Sequence, residues 1–131
     1  MAKIIHVMIR VIEIERAIDF YNKAFGLKIV GHFDFDDFEL VYLRNPENDF
    51  EVELTLNKGR ATPYSHGDGS GHLAVCVDNC GAERDRLKGL GFEPGEVKEF
   101  LRDGKLMARF FFIQDPDGYK IEVLERHGRY W

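Results

Sequence analysis

Residues 4–11 read Ile-Ile-His-Val-Met-Ile-Arg-Val, and residues 71–77 read Gly-His-Leu-Ala-Val-Cys-Val. Both are strand-like runs, in which successive side chains point to opposite faces. In the first, Ile5, Val7, Ile9 and Val11 share one face while His6, Met8 and Arg10 share the other. In the second, Leu73, Val75 and Val77 lie opposite His72, Ala74 and Cys76. Outward from these two runs the chain repeats itself. After the first, Ile14, Ile18, Tyr21 and Phe25 fall at helical spacing and Gly26 supplies a stop. Strands over residues 27–33 and 38–43 follow, then a turn at Asn45-Pro46-Glu47-Asn48 and a strand over 50–57. After the second, Asp78 or Asn79 N-caps a helix carrying Leu87 and Leu90, which Gly91 ends. A strand over 106–113, the turn Asp115-Pro116-Asp117-Gly118 and a strand over 119–125 complete that half. Each half therefore reads strand, helix, then about three strands. Residues 58–70, rich in Gly, Ser and Pro, link the two. Two copies of such length do not make a solenoid. The expectation is a single domain over residues 1–131 built from two repeats, about 1–57 and 71–131.

Composition narrows the function classes. A chain of 131 residues can bury roughly 68% of its unfolded surface, enough for a core without disulfides. Hydrophobic residues at 44% and charged residues at 31% fit a soluble globular protein and exclude a disordered tail or a fibre. The net charge of −5 lacks the basic footprint of a nucleic-acid binder. No apolar run approaches the length of a membrane span, and the N-terminus enters strand pattern with no secretory leader. Cys76 and Cys80 are one residue further apart than a Cys-x-x-Cys motif, and without a leader they read as reduced thiols of the cytoplasm. Eleven Phe residues imply an apolar pocket or interface besides a core. In the run Phe33-Asp34-Phe35-Asp36-Asp37-Phe38 the reading is strand, turn, strand, with Phe33, Phe35 and Phe38 in a core. His32, His66 and His127 read as surface or linker residues. Glu83-Arg84-Asp85-Arg86 reads as a solvated helix face, and Cys76 as a small apolar filler.

The polar faces carry the chemistry. Each half places one His on its first strand and a Glu on its last: His6 and Glu53, then His72 and Glu122. Taken singly, a strand His or Glu is more often a solvated or satisfied polar residue. The same pair at matching places in both halves reverses that judgement. Two imidazoles and two carboxylates suit a divalent first-row metal at about 2.0–2.2 Å, and leave positions open for chemistry.

These residues lie in segments that resemble glyoxalase I (lactoylglutathione lyase) of the vicinal oxygen chelate superfamily. The segments are His6-Val7-Met8-Ile9-Arg10-Val11, Ala17-Ile18-Asp19-Phe20-Tyr21, Glu53-Leu54-Thr55-Leu56-Asn57-Lys58-Gly59, Gly71-His72-Leu73-Ala74 and Asp115-Pro116-Asp117-Gly118-Tyr119-Lys120-Ile121-Glu122. The resemblance implies an α+β fold of two βαβββ modules whose sheets form an incomplete barrel. It implies a homodimer with each metal at the subunit interface, held by His6, Glu53, His72 and Glu122. A short chain resembles the members that favour Ni²⁺, with Zn²⁺ or Co²⁺ as alternatives. The implied reaction isomerises the methylglyoxal–glutathione hemithioacetal to S-lactoylglutathione, with Glu122 as catalytic base and Glu53 sharing proton transfer. Arg10, Asn57 and Lys105 match substrate-binding positions. Beyond Lys105 the chain departs from the family, with Leu106-Met107-Ala108-Arg109 where small residues are usual. Two other readings compete. One is a different metalloenzyme of the superfamily, an epimerase or a dioxygenase. The other is a metal-free small-molecule binder of the bleomycin-sequestering kind. Glu53 argues against the first and the intact quartet against the second.

Overall fold

The computed structural model describes Met1–Trp131 throughout. The chain divides into two compact units, Met1–Ser65 and His66–Trp131. The first contains β1 (His6–Val11), α1 (Ile14–Phe25), β2 (Lys28–Asp34), β3 (Phe38–Arg44) and β4 (Glu51–Asn57). The second contains β5 (His72–Val77), α2 (Cys80–Gly89), β6 (Lys98–Arg102), β7 (Lys105–Gln114) and β8 (Lys120–Glu125). Each unit is a βαβββ module with one open four-stranded sheet, ordered β1-β4-β3-β2 in the first and β5-β8-β7-β6 in the second. In both, the first strand pairs parallel with the last and the remaining pairs are antiparallel. The α+β class and the repeated module are those read from the sequence. No helix is long and apolar enough to cross a membrane.

The aliphatic faces form the cores. In the first unit Val11, Val41, Leu43, Val52 and Leu54 are buried together with Ala17, Phe20, Tyr21 and Ala24 of α1. The buried stripe of α1 runs one position earlier than Ile14, Ile18 and Phe25 suggest. The small Ala17 and Ala24 occupy the buried line, and the larger side chains flank it half-exposed. Gly26 ends the helix in the left-handed conformation (φ 67°), its N–H donating to the Asn22 carbonyl. In the second unit Ala108, Phe111, Ile113, Ile121 and Val123 are buried with Cys80 and Leu87 of α2. Asn79, not Asp78, caps this helix: its side-chain oxygen accepts from the Ala82 N–H at 2.8 Å. Leu90 lies past the helix end and is exposed. The Cys80 thiol contacts the carbonyls of Arg109 and Val123, and burial pushes it up to about 11. Both cysteines are free thiols.

Two expectations need correction. Phe33 and Phe35 do not enter a core; both are about half exposed. Phe35 stacks on Phe38 (centroids 4.7 Å apart) at the tip of the β2–β3 hairpin, where neighbouring Asp residues hold the chain in water. The second correction is β6, which escaped residue-by-residue reading. Its residues are all exposed on a sheet edge, so no face alternates. The signal present was Asp103-Gly104, both at positive φ, which joins β6 to β7 as a tight hairpin.

Candidate active site

The strand registers bring each His to its Glu. In the first sheet Met8 pairs with Glu53 and His6 with Glu51, so His6 and Glu53 share a face one pleat apart. His6 Nε2 lies 2.9 Å from Glu53 Oε2. In the second sheet Ala74 pairs with Glu122 and His72 with Lys120. There His72 Nε2 lies 3.0 Å from Glu122 Oε2. Both Glu side chains are largely covered (11% and 17% exposed) while both imidazoles remain accessible (37% and 43%). Each unit thus presents an imidazole nitrogen beside a carboxylate oxygen, the donor types that bind divalent first-row cations. Neither unit alone gathers three or more such side chains.

An aromatic ring from the third strand stands against each pair. Tyr42 pairs with Glu53 and meets the His6 ring edge-on at 5.9 Å. Phe112 pairs with Glu122 and meets His72 edge-on at 5.4 Å. The two rings differ in one group. Burial, with the negative charge of Glu53 nearby, raises the Tyr42 phenol above the usual phenol range. Sequence reading missed Tyr42, because its strand was recognised without its register against β4.

The three candidate substrate residues lie in different settings. Arg10 is exposed on the same face of β1 as His6 and pairs with Thr55. Asn57 ends β4, and its amide donates to the Tyr64 hydroxyl at 2.9 Å. Tyr64 in turn lies under the Arg60 guanidinium, 3.9 Å from the ring centroid. Lys105 opens β7 and lines an open cavity together with Arg102, Asp103, Leu106, Met107, His127 and Arg129. That cavity belongs to the second unit, whereas Arg10 and Asn57 belong to the first. The remaining histidines divide. His32 is paired with Glu39 at the surface, and His127 reaches the Leu106 carbonyl. His66 is stacked on Tyr119 with its Nε2 buried, which removes it from the surface set.

Two open βαβββ modules, each carrying a His/Glu pair on its polar face, define the glyoxalase fold class. The chain belongs to the Glyoxalase/Bleomycin resistance protein/Dioxygenase superfamily, whose family model matches residues 3–123. Within it the chain is a glyoxalase I-type enzyme. It is 32% identical over 127 residues to the lactoylglutathione lyase of Haemophilus influenzae, covering 94% of this chain and 92% of that protein. It is 36% identical over 132 residues to a probable chloroplastic lactoylglutathione lyase of Arabidopsis thaliana, covering 95% of this chain but only 36% of that longer protein. Among solved structures it is similar to the glyoxalase I of Zea mays (TM-score 0.82, 31% identity), covering 96% of this chain and 45% of that one. It is likewise similar to the trypanothione-dependent glyoxalase I of Leishmania major (TM-score 0.75, 30% identity), covering 95% and 87%.

Proposed function

We propose that this chain is a metal-dependent lactoylglutathione lyase of the cytoplasm, which isomerises the hemithioacetal of methylglyoxal and glutathione to S-lactoylglutathione. The carrying observation is the repeated pair: a His Nε2 within 2.9–3.0 Å of a Glu Oε2 on the same pleated face of each unit. A metal-free binder has no use for two such pairs, and a three-ligand dioxygenase has no use for the second carboxylate. The donor set fits one divalent ion held by His6, Glu53, His72 and Glu122, with Ni²⁺ favoured over Zn²⁺ or Co²⁺. Such an ion supplies Lewis acidity toward the substrate oxygens. We place it between two subunits of a homodimer, with His6 and Glu53 from one chain and His72 and Glu122 from the other.

The chain's own residues perform the proton transfer. Glu122 takes the proton from the carbon bearing sulfur and returns it to the neighbouring carbon, which becomes the lactoyl carbinol. Glu53 serves the opposite hand of the substrate less directly. Arg10 and Asn57 bind the glutamyl end of the thiol, and Lys105 its glycyl carboxylate. The cavity lined by Arg102, Lys105 and Arg129, with Asp103 the one acidic residue beside them, supports an anionic thiol.

The test is Glu122→Gln on metal-replete protein. Gln retains size and an oxygen donor but accepts no proton at neutral pH. Loss of general-base catalysis is worth about 10²–10⁴-fold, so kcat falls by at least that range while the fold persists. Near-normal kcat at full metal occupancy would transfer the base to Glu53. Assaying the adducts of several thiols in parallel identifies the physiological one.

A further inference from the structure

The linker after β4 is a built clasp around one candidate substrate residue. Asn57-Lys58-Gly59-Arg60 turns the chain sharply: the Arg60 N–H donates to the Asn57 carbonyl at 3.3 Å, and Gly59 takes the positive φ (85°) of a type II turn's third residue. The Arg60 side chain then gathers the residues that follow. Its Nε and Nη2 donate to the carbonyls of Thr62 and Pro63 at 3.0 and 3.3 Å, and its guanidinium covers the Tyr64 ring, 3.9 Å from the centroid. Tyr64, seven residues past Asn57, is thereby returned to it. The Asn57 Nδ2 donates to the Tyr64 hydroxyl at 2.9 Å, and both residues are half-buried. On β4, Asn57 shares its face with Glu53 and Thr55, and Thr55 stands opposite Arg10. Asn57 and Arg10 therefore lie one pleat repeat apart, roughly 7 Å along that face.

We propose that Tyr64 is a positioning residue whose hydroxyl orients the Asn57 amide, so that this subsite selects the α-ammonium group of a γ-glutamyl thiol. This rests on the reading of Arg10 and Asn57 as the pair that meets the glutamyl end. An amide carries two N–H donors at one end and an acceptor oxygen at the other. With its nitrogen held by the phenol, the Asn57 amide offers its Oδ1 to a ligand. An acceptor oxygen binds an ammonium and repels a carboxylate, which Arg10 takes in charge-assisted hydrogen bonds. An α-amino acid end carries both groups on one carbon, so two side chains this close divide it between them. Without the hydroxyl the amide turns freely, and its donors compete with Arg10 for the carboxylate.

Tyr64→Phe keeps the ring under Arg60 and removes the hydroxyl. Steady-state kinetics on metal-replete protein should compare the methylglyoxal adduct of glutathione with that of its glutaryl counterpart, which lacks only the α-amino group. The wild type should favour the glutathione adduct by about tenfold or more in KM at similar kcat, the worth of a hydrogen bond to a charged group. Tyr64→Phe should lose most of that preference. Adding Asn57→Asp should restore it, since a carboxylate presents an acceptor oxygen in either orientation; a hydroxyl that merely braced the linker would not be replaced in this way. A wild type with no amine preference, a Tyr64→Phe variant that retains it in full, or a loss that Asn57→Asp fails to restore would each overturn the proposal. Absence of isomerase turnover in the wild type is a different failure, of the enzymatic reading alone. Calorimetric binding of the S-methyl derivatives of the two thiols then reads the same preference and decides the role of Tyr64.

Discussion

At the scale of single residues, divergence between the repeats says as much as their agreement. Arg10 pairs with Thr55 in the first sheet, and Cys76 pairs with Leu124 at the equivalent place in the second. One half thus carries a guanidinium where the other carries a half-buried thiol, and on the proposed reading the anionic end of the substrate lies toward Arg10. Arg10→Ala should raise KM for the glutathione adduct more than it lowers kcat, the sign of lost uniform binding. A hydrogen bond to a charged group is worth roughly 1.5–3 kcal/mol, which sets the expected loss in kcat/KM at about tenfold or more. Steady-state kinetics on metal-replete protein checks it, and a fall confined to kcat would exclude Arg10 from binding. His6, Glu53, His72 and Glu122 were legible because strand alternation sorts polar from apolar faces without knowledge of pairing. Tyr42 was not, since its meaning lies in which residue of β4 stands opposite, and no local pattern encodes that register.

At the scale of elements, α2 is the weaker helix, with Cys80 and Leu87 its buried residues. It therefore leans on its cap. Asn79→Ala removes the acceptor for the Ala82 N–H and should cost about 0.5–2 kcal/mol, read from urea or thermal unfolding. The same helix carries a pH liability. The folded-state pKa of Cys80 is raised from 9.0 to about 11 because burial disfavours the thiolate. Its contribution to stability is thus complete below about pH 9 and is lost as pH rises through about 11. Unfolding followed from pH 8 to 11 should show that decline, and Cys80→Ala should flatten it. The helix ends and most strands could be read because Gly26, Gly91 and the Asp-Pro-Asp-Gly turn punctuate the chain. The edge strand β6 and the exposed Phe33 and Phe35 could not, because an edge has no buried face to impose a pattern and aromatic composition alone does not reveal burial.

At the scale of the molecule, the proposed site, which requires both half-pairs, would tie assembly to metal. Sedimentation should show a two-fold dimer, the closed symmetry that an isologous interface gives. Chelation should lower the melting temperature; a ligand at 100 times its Kd contributes about 2.7 kcal/mol to the bound state. A monomer with full metal-dependent activity would exclude the shared site. The sequence disclosed the module and its duplication, since hydrophobic period and turn residues are local. How the proposed half-sites would combine depends on packing surfaces, which no single strand pattern records. The closure of each sheet within its own unit has a further consequence, for the order of biosynthesis. The first sheet draws every strand from residues before Lys58, with β1 waiting for β4 to emerge. Chains fold from the N-terminus as they leave the ribosome. The His6–Glu53 pair therefore needs no residue of the second unit to have left the ribosome, and a nascent chain carries one proposed half-site before the other is exposed.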